Sequence, residues 1–474
     1  MPIEPASRLT QRHIAIAATA LCIASLALFW PGIAMYDTVA QYRQVLSGVY
    51  DDWHPPAMAH VWALLAPLGP GAVPMLVLQL ATYWAGLGLL AAALARTGRP
   101  RAALVMLAIG LLPPFLNWQG VVLKDAQLTG ALLAVVGGIS WWRLSGRSVP
   151  WAARLPIAVL LAYAVLVRAN AVFAAVPLMV MLAPRPSRPA TRIATALVAT
   201  LVVLGAAPLV NHGLLKAQLS GVERTQALYD LAGIAARVPG GGGIGLTPAE
   251  ARTVIARHCA SPFFWDPLGD EAHCGDTMAR LRALPVATLY TMLAESALRH
   301  PVAYATHRLA HLNSTDRWLV PLTWPGAAPP ANAEPNTLGL PSPGAAAHGW
   351  QALAAVVVET PLGWPVMWIV AALTALTACG TRPSDPAGRL AAALLVSALA
   401  LEASFAVLSI ASDLRYHLWS MIATALAITL LANRRPPRRL IVSGTVLLLV
   451  AASAGIVARA TLPRPPQTYA GMLG

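Results

Sequence analysis

A chain of 474 residues would ordinarily hold two or three soluble domains, but only 11% of it is charged, under half the roughly 25% of globular proteins. With 57% apolar residues and a mean hydropathy of +0.62, the chain is excluded as an ordinary soluble enzyme and reads as a polytopic membrane protein. In such a protein a net charge of +14, from 33 basic and 19 acidic residues, marks cytoplasmic loops rather than a nucleic-acid footprint. DNA and RNA binding are set aside. Lys124 and Lys216 are the only lysines, the arginine bias of a GC-rich and hence bacterial genome.

Arg8 and Arg12 precede an apolar run from Ile14 to Phe29. No small-residue cleavage site follows, and Leu21 before Cys22 is wrong for lipoprotein processing, so the run reads as a retained first helix. Further apolar runs lie at about 72–95, 102–118, 127–142, 156–183, 193–210, 362–380, 389–411, 417–433 and 440–458. The run 156–183 breaks at Arg168-Ala169-Asn170 and is one long helix or a hairpin of two short ones. With the hairpin, one side collects Arg8, Arg12, Arg96, Arg99, Arg101, Arg143, Arg147, Arg154, Arg185, Arg188, Arg192, Arg382, Arg389, Arg434, Arg435, Arg438 and Arg439, against only Glu4 and Asp385. The positive-inside rule makes that side cytoplasmic, whereas a single long span would turn RRPPRR outward. The expected fold is therefore an all-α bundle of about eleven membrane helices including a short hairpin, divided into 1–210, an outer segment 211–360, and 361–474.

This topology puts most acidic residues on the outer side, in loops 36–56 and 119–126 and in the segment 211–360. Chemistry there faces the periplasm of a bacterial inner membrane. No nucleotide is available in that compartment, so an energised substrate must arrive attached to lipid. Cys259 and Cys274 fall in the outer segment, 15 positions apart, and an oxidising compartment favours their disulfide. Zinc is the rival, because each follows a histidine (His258, His273), as are two free thiols; adjacent His-Cys does not match zinc spacings. PGGGGIG at 239–245 contains G-x-G-x-x-G without a preceding strand and is a flexible link. The Pro/Ala/Gly/Asn stretch 325–347 reads as loop. Between them, 283–312 reads as helices at the membrane surface, and the whole segment as a partly ordered cap.

The first outer loop, YDTVAQYRQVLSGVYDDWHPPAMAHVW, sets Asp37 at the exit of the first helix, then an amphipathic helix, then Asp51-Asp52-Trp53-His54-Pro55-Pro56. This resembles the signature of the GT-C superfamily, the multi-span glycosyltransferases that use polyprenyl-phosphate sugars. More narrowly, it resembles bacterial relatives of the protein mannosyltransferases and lipid A aminoarabinose transferases. LNWQGVVLKDAQLTG, carrying Lys124 and Asp125, resembles the loop with the second acidic residue; LVRANAV, centred on Arg168, resembles the short helix pair. SDLRYHLW, carrying Arg415 and Tyr416, resembles a late outer loop. The resemblance covers about 14–210 and 361–433. Asp37-Thr38 departs from the adjacent acidic pair that many members carry.

What the resemblance implies is sugar transfer, hexosyl or pentosyl, from a polyprenyl-phosphate donor to an outer-face glycan, lipid or protein. A carboxylate takes the acceptor's proton while cations stabilise the departing phosphate. Asp37 is the expected base, with desolvation lifting its pKa towards neutrality, and Asp125 is its catalytic companion. Arg415 and Lys124, then Arg168 and Arg308, are expected on the phosphate, beside Tyr416. His54 and Asp125 would orient the sugar, relay protons or ligate a divalent cation, Mg or Mn. Blander readings stand beside these. Asp37, Asp51 and Asp52 also fit solvated positions, Lys124–Asp125 and Asp413–Arg415 local ion pairs, and Glu402 a bundle contact. A lipid-linked oligosaccharide ligase, with its chemistry at Arg308 and His311, and a lipid-sugar flippase are the alternative functions.

Overall fold

Apolar runs with few breakers become helices, and the fold is all-α, 73% helical with no strand among the described residues. The computed structural model describes residues 10–183, 188–241, 245–380 and 385–473. Glu4, Arg8, Arg185 and Arg382 lie outside the described residues, as does the middle of the glycine run. A capping box of Thr10 and His13 starts α1 (Gln11–Phe29). There follow α2 (Tyr36–Ser47), α3 (Ala57–Leu65), α4 (Val73–Arg96), α5 (Pro100–Gly110), α6 (Pro113–Gly120), α7 (Lys124–Arg143), α8 (Trp151–Val167), α9 (Val172–Leu182) and α10 (Pro189–Pro208). The outer segment contributes α11 (Thr225–Ala235), α12 (Pro248–Ala256), α13 (Val286–Arg299), α14 (Pro301–Thr315) and α15 (Ala345–Val357). Then come α16 (Pro365–Cys379), α17 (Pro386–Leu408), α18 (Leu418–Leu431) and α19 (Arg438–Thr461).

Among the described residues, six helices are long and apolar enough to cross a membrane, and α5 with α6, bent by 53°, makes a seventh. The other expected crossings are helical but do not meet that measure. The α8, α9 and α16 helices are short, and α7 opens on Lys124, Asp125, Gln127 and Thr129, polar residues that the bundle buries. At the centre α4 packs on α1 and α7. A Cβ added to Gly137 would stand 2.4 Å from the Gly86 carbonyl oxygen, so glycines let the α4 and α7 backbones approach closely.

The break at Arg168 is a hairpin. Ile157, early in α8, lies against Gly138 late in α7, whereas Arg168, where α8 ends, reaches Asp125 at the start of α7. The chain then returns until Arg143, at the end of α7, bonds the Leu182 carbonyl. The arginine-rich connections gather at that same end: Arg96 bonds the Trp141 carbonyl, Arg99 that of Leu430, and Arg434 pairs with Asp385. Arg96, Arg99, Arg143 and Arg434 thus lie at one end of the bundle.

The outer segment differs from a partly ordered cap. Apolar residues at helical spacing on α11, α12 and α13, among them Leu228, Leu231, Val254, Leu289 and Leu293, close a core of their own around the Cys259–Cys274 disulfide. The α14 helix does not simply lie on a membrane surface, for His307, Arg308 and His311 are buried. The stretch 325–347 is loop, yet it is anchored: Glu334 N–H donates to the Ala34 carbonyl at 2.7 Å.

Candidate active site

The site forms because the loops after α1 and after α6 are laced together before any side chain is considered. Ile33 N–H donates to the Gly120 carbonyl at 3.0 Å, and Val122 N–H returns a bond to Ile33 at 2.9 Å. Thr38 Oγ1 adds a 2.7 Å bond to the Val122 carbonyl. Gly32 adopts φ +105°, and a Cβ there would stand 2.9 Å from Val122, so the contact requires glycine. The lacing brings the start of α2 beside the start of α7, each with an aspartate in its first turn, Asp37 and Asp125. Both carboxylates sit where the helix dipole favours negative charge.

Lys124 of that same α7 turn and two cations from elsewhere in the chain, Arg168 and Arg415, fill the space between them. Asp37 Oδ2 lies 3.1 Å from Arg415 Nη1 and 3.3 Å from Lys124 Nζ. Arg415 also reaches Asp125 at 3.8 Å and Asp413 at 3.0 Å. Arg168 Nε pairs with Asp125 at 3.1 Å, bonds Asn170 at 3.2 Å, and lies over the Tyr416 ring at 4.2 Å. Lys124 Nζ donates to His54 Nδ1 at 2.6 Å, which leaves the ring proton on Nε2, a buried nitrogen without a partner at 3.9 Å from Asp37 Oδ1. Asp37, Asp125, His54, Lys124, Arg168, Arg415 and Tyr416, expected from loops scattered over some 380 positions, therefore converge. The Asp37 side chain keeps 13% exposure and that of Asp125 only 3%.

The electrostatics correct one expectation. Burial does work against the charge of Asp37, but the cations Arg415 and Lys124, with Arg168 behind them, hold its carboxyl well below the usual carboxylate range. It is not lifted towards neutrality, because opposite charges within about 4–6 Å outweigh desolvation here. Burial and then the Lys124 ammonium push His54 down to about 3, so the imidazole is neutral. Three carboxylates (Asp37, Asp125, Asp413) thus face three cations (Lys124, Arg168, Arg415). This balanced cluster does not fit the divalent cation considered for His54 and Asp125: the Asp125 carboxylate is already met by Arg168 and Arg415, and the imidazole's lone pair is taken by Lys124.

Arg308 is not brought here. Its guanidinium is committed to Asp230 at 2.7 Å and to the Ser409 carbonyl at 2.6 Å, in a buried group with His307 and Tyr229. Asp52 is no solvated turn residue: Oδ1 accepts from Ser220 N–H at 2.7 Å and Ser220 Oγ at 2.6 Å, pinning the first loop to the outer segment. Asp413, weighed with Arg415 as a local ion pair or a site member, joins the site, and Asn170 joins it without having been singled out. The Asp-x-Arg spacing of Asp413 and Arg415 and the adjacency of Arg168 and Asn170 were the available signals.

No protein family profile and no curated protein matches this sequence. Among solved structures the chain is similar to the archaeal oligosaccharyltransferase AglB from Archaeoglobus fulgidus in complex with an inhibitory peptide and a dolichol-phosphate. Identity is 13% and the TM-score 0.38, over 95% of this chain and 55% of that one. The apo oligosaccharyltransferase of the same organism gives 13%, 0.39, 96% and 56%. ArnT from Cupriavidus metallidurans bound to undecaprenyl phosphate gives 13% and 0.30, over 88% of this chain and 77% of that one. The chain spans just over half the length of the oligosaccharyltransferase.

Proposed function

We propose that the protein is a membrane glycosyltransferase of the bacterial inner membrane. It would move a sugar from a polyprenyl-phosphate donor to a glycan, lipid or protein acceptor on the periplasmic face, through Asp37 and the cations around it. The observation that carries the reading is a single guanidinium, Arg415, held against two helix-start carboxylates from separate outer loops. The resting cluster has no net charge. A donor phosphate entering it competes for Arg415, Lys124 and Arg168, and each cation it captures is one fewer holding the Asp37 pKa down. Donor binding thereby turns a weakly basic, ion-paired carboxylate into a competent base.

The acceptor hydroxyl oxygen then attacks the anomeric carbon, the bond from that carbon to the phosphate oxygen breaks, and the configuration inverts. The hydroxyl proton goes to Asp37, and the bond electrons leave with the polyprenyl phosphate as a second negative charge shared by Arg415, Lys124 and Arg168. Asp125 orients Arg168 and Arg415, and His54, neutral and donating from Nε2, is placed to hold a sugar hydroxyl. The ligase alternative has less support, because Arg308 is committed to Asp230 and His311 Nδ1 is committed locally, donating to the Pro262 carbonyl at 2.8 Å beside the Tyr229 hydroxyl.

The test is turnover of a labelled polyprenyl-phosphate sugar by purified protein in lipid nanodiscs with an outer-face acceptor extract. Release of polyprenyl phosphate coupled to labelled acceptor is expected. Movement of intact donor across vesicles without cleavage would replace the reading with a flippase.

A further inference from the structure

Two residues beyond Arg415, and outside the cluster just described, His417, Glu402 and Asp316 meet. One ligand atom from each lies within 4.8 Å of the others. They come from three elements: Asp316 caps α14, Glu402 is in the last third of α17, and His417 closes the short turn Leu414–His417. His417 Nδ1 stands 2.8 Å from Glu402 Oε2, with side-chain exposures of 0% and 6%. Thr315 Oγ1 lies 3.0 Å from His417 Nε2. Asp316 Oδ1 is shut off from solvent and accepts no hydrogen bond. The nearby guanidinium of Arg317 serves the Pro325 and Trp324 carbonyls at 2.8 and 2.6 Å, and faces Glu359.

A buried carboxylate oxygen with no donor is costly, and a second carboxylate beside it makes it more so. The imidazole gives one nitrogen to Thr315 Oγ1 and turns the other to Glu402 Oε2, and neither satisfies Asp316 Oδ1, which a cation held among the three ligand atoms would meet. We infer that Asp316, Glu402 and His417 form a site for a divalent transition ion of the zinc class. One imidazole and two carboxylates, with the far ring nitrogen tied to an oxygen, are a zinc-type donor set and outer shell. Ser420, which donates to the other Glu402 oxygen, completes that shell. The ion would clamp α14 and α17 to the turn that carries Arg415, and it stands whether or not the neighbouring cluster transfers sugars.

The experiment is the zinc content of the full chain, purified in detergent, stripped with EDTA, dialysed against zinc chloride and read by plasma mass spectrometry. Monodisperse elution serves as the folding control. Stoichiometric zinc is expected in the native protein and background zinc in Asp316→Asn, an isosteric change, and in His417→Gln. Thr315→Val should weaken zinc binding about 10–100-fold, and Glu359→Gln, outside the cluster, should leave it unchanged. Folded native protein without zinc, or folded Asp316→Asn with its full complement, would overturn the site and leave a hydrogen bond between His417 and Glu402 in its place.

Discussion

Replacing Asp37 by asparagine separates a base from a binding group. The change keeps the side chain's size and an oxygen near Lys124 and Arg415, at 3.3 and 3.1 Å in the native protein, but removes the charge and the proton acceptor. At an effective dielectric of about 20 each of those contacts carries about 5 kcal/mol of raw Coulomb attraction, which a donor phosphate must displace. With Asp37 neutralised, the cluster gains one net positive charge and its cations are easier to capture, so donor binding should hold or tighten. Loss of a general base is worth about 10²–10⁴ in rate, or about 3–5 kcal/mol of barrier. The variant should therefore show kcat down by about 10²–10⁴ with KM for the polyprenyl-phosphate sugar unchanged or lower, measured with labelled donor in nanodiscs. A kcat within about tenfold of native, or a raised KM at native kcat, would refute Asp37 as base and make it a ground-state contact.

Lys124→Met removes one phosphate-facing cation, and the donor KM is expected to rise at least about tenfold; an unchanged KM would show Lys124 to be structural. Acid should loosen the fold through the same residues. His54, held near 3 in the folded protein, takes up a proton near 6.5 when unfolded, and Asp37, held low, contributes stability that is lost as pH falls past its unfolded value. Stability is thus fullest above about pH 6.5 and falls below it, by about 2 kcal/mol between pH 6.5 and 5 from His54 alone. His54→Gln should flatten that part of a detergent melting series, and an equally steep series would contradict the assignment. Reducing Cys259–Cys274, which closes a 15-residue separation, should cost the outer segment about 3 kcal/mol in denaturant titrations. Gly137→Leu, forced onto the Gly86 carbonyl, should destabilise the bundle by about 1–3 kcal/mol or more, read as an earlier loss of the monodisperse peak on heating.

The sequence discloses what depends on composition along the chain and conceals what depends on contacts across it. Arginine placement favours a hairpin at Arg168, and α8 and α9 do turn back there. Asp37, Lys124, Asp125 and Arg415 are legible because charged residues at helix ends facing one compartment have few roles. The protonation state of Asp37 is not legible: desolvation alone argues for a raised pKa, and only the distances to Arg415 and Lys124 reverse the sign. Arg308 fails for a similar reason, since its partner Asp230 lies 78 positions away in the chain. The core of the outer segment is hidden by its many prolines and glycines, which read as disorder until α11, α12 and α13 pack face to face.

The most direct test is the affinity of purified protein for polyprenyl phosphate itself, titrated by microscale thermophoresis into native protein, Arg415→Ala and Arg168→Ala. On the proposed reading those guanidiniums hold the leaving phosphate, so the native protein should bind saturably and each variant at least about tenfold more weakly, each lost charged hydrogen bond being worth about 1.5–3 kcal/mol. Equal binding by all three, or none by the folded native protein, would contradict the placing of a lipid-linked phosphate among Arg415, Lys124 and Arg168.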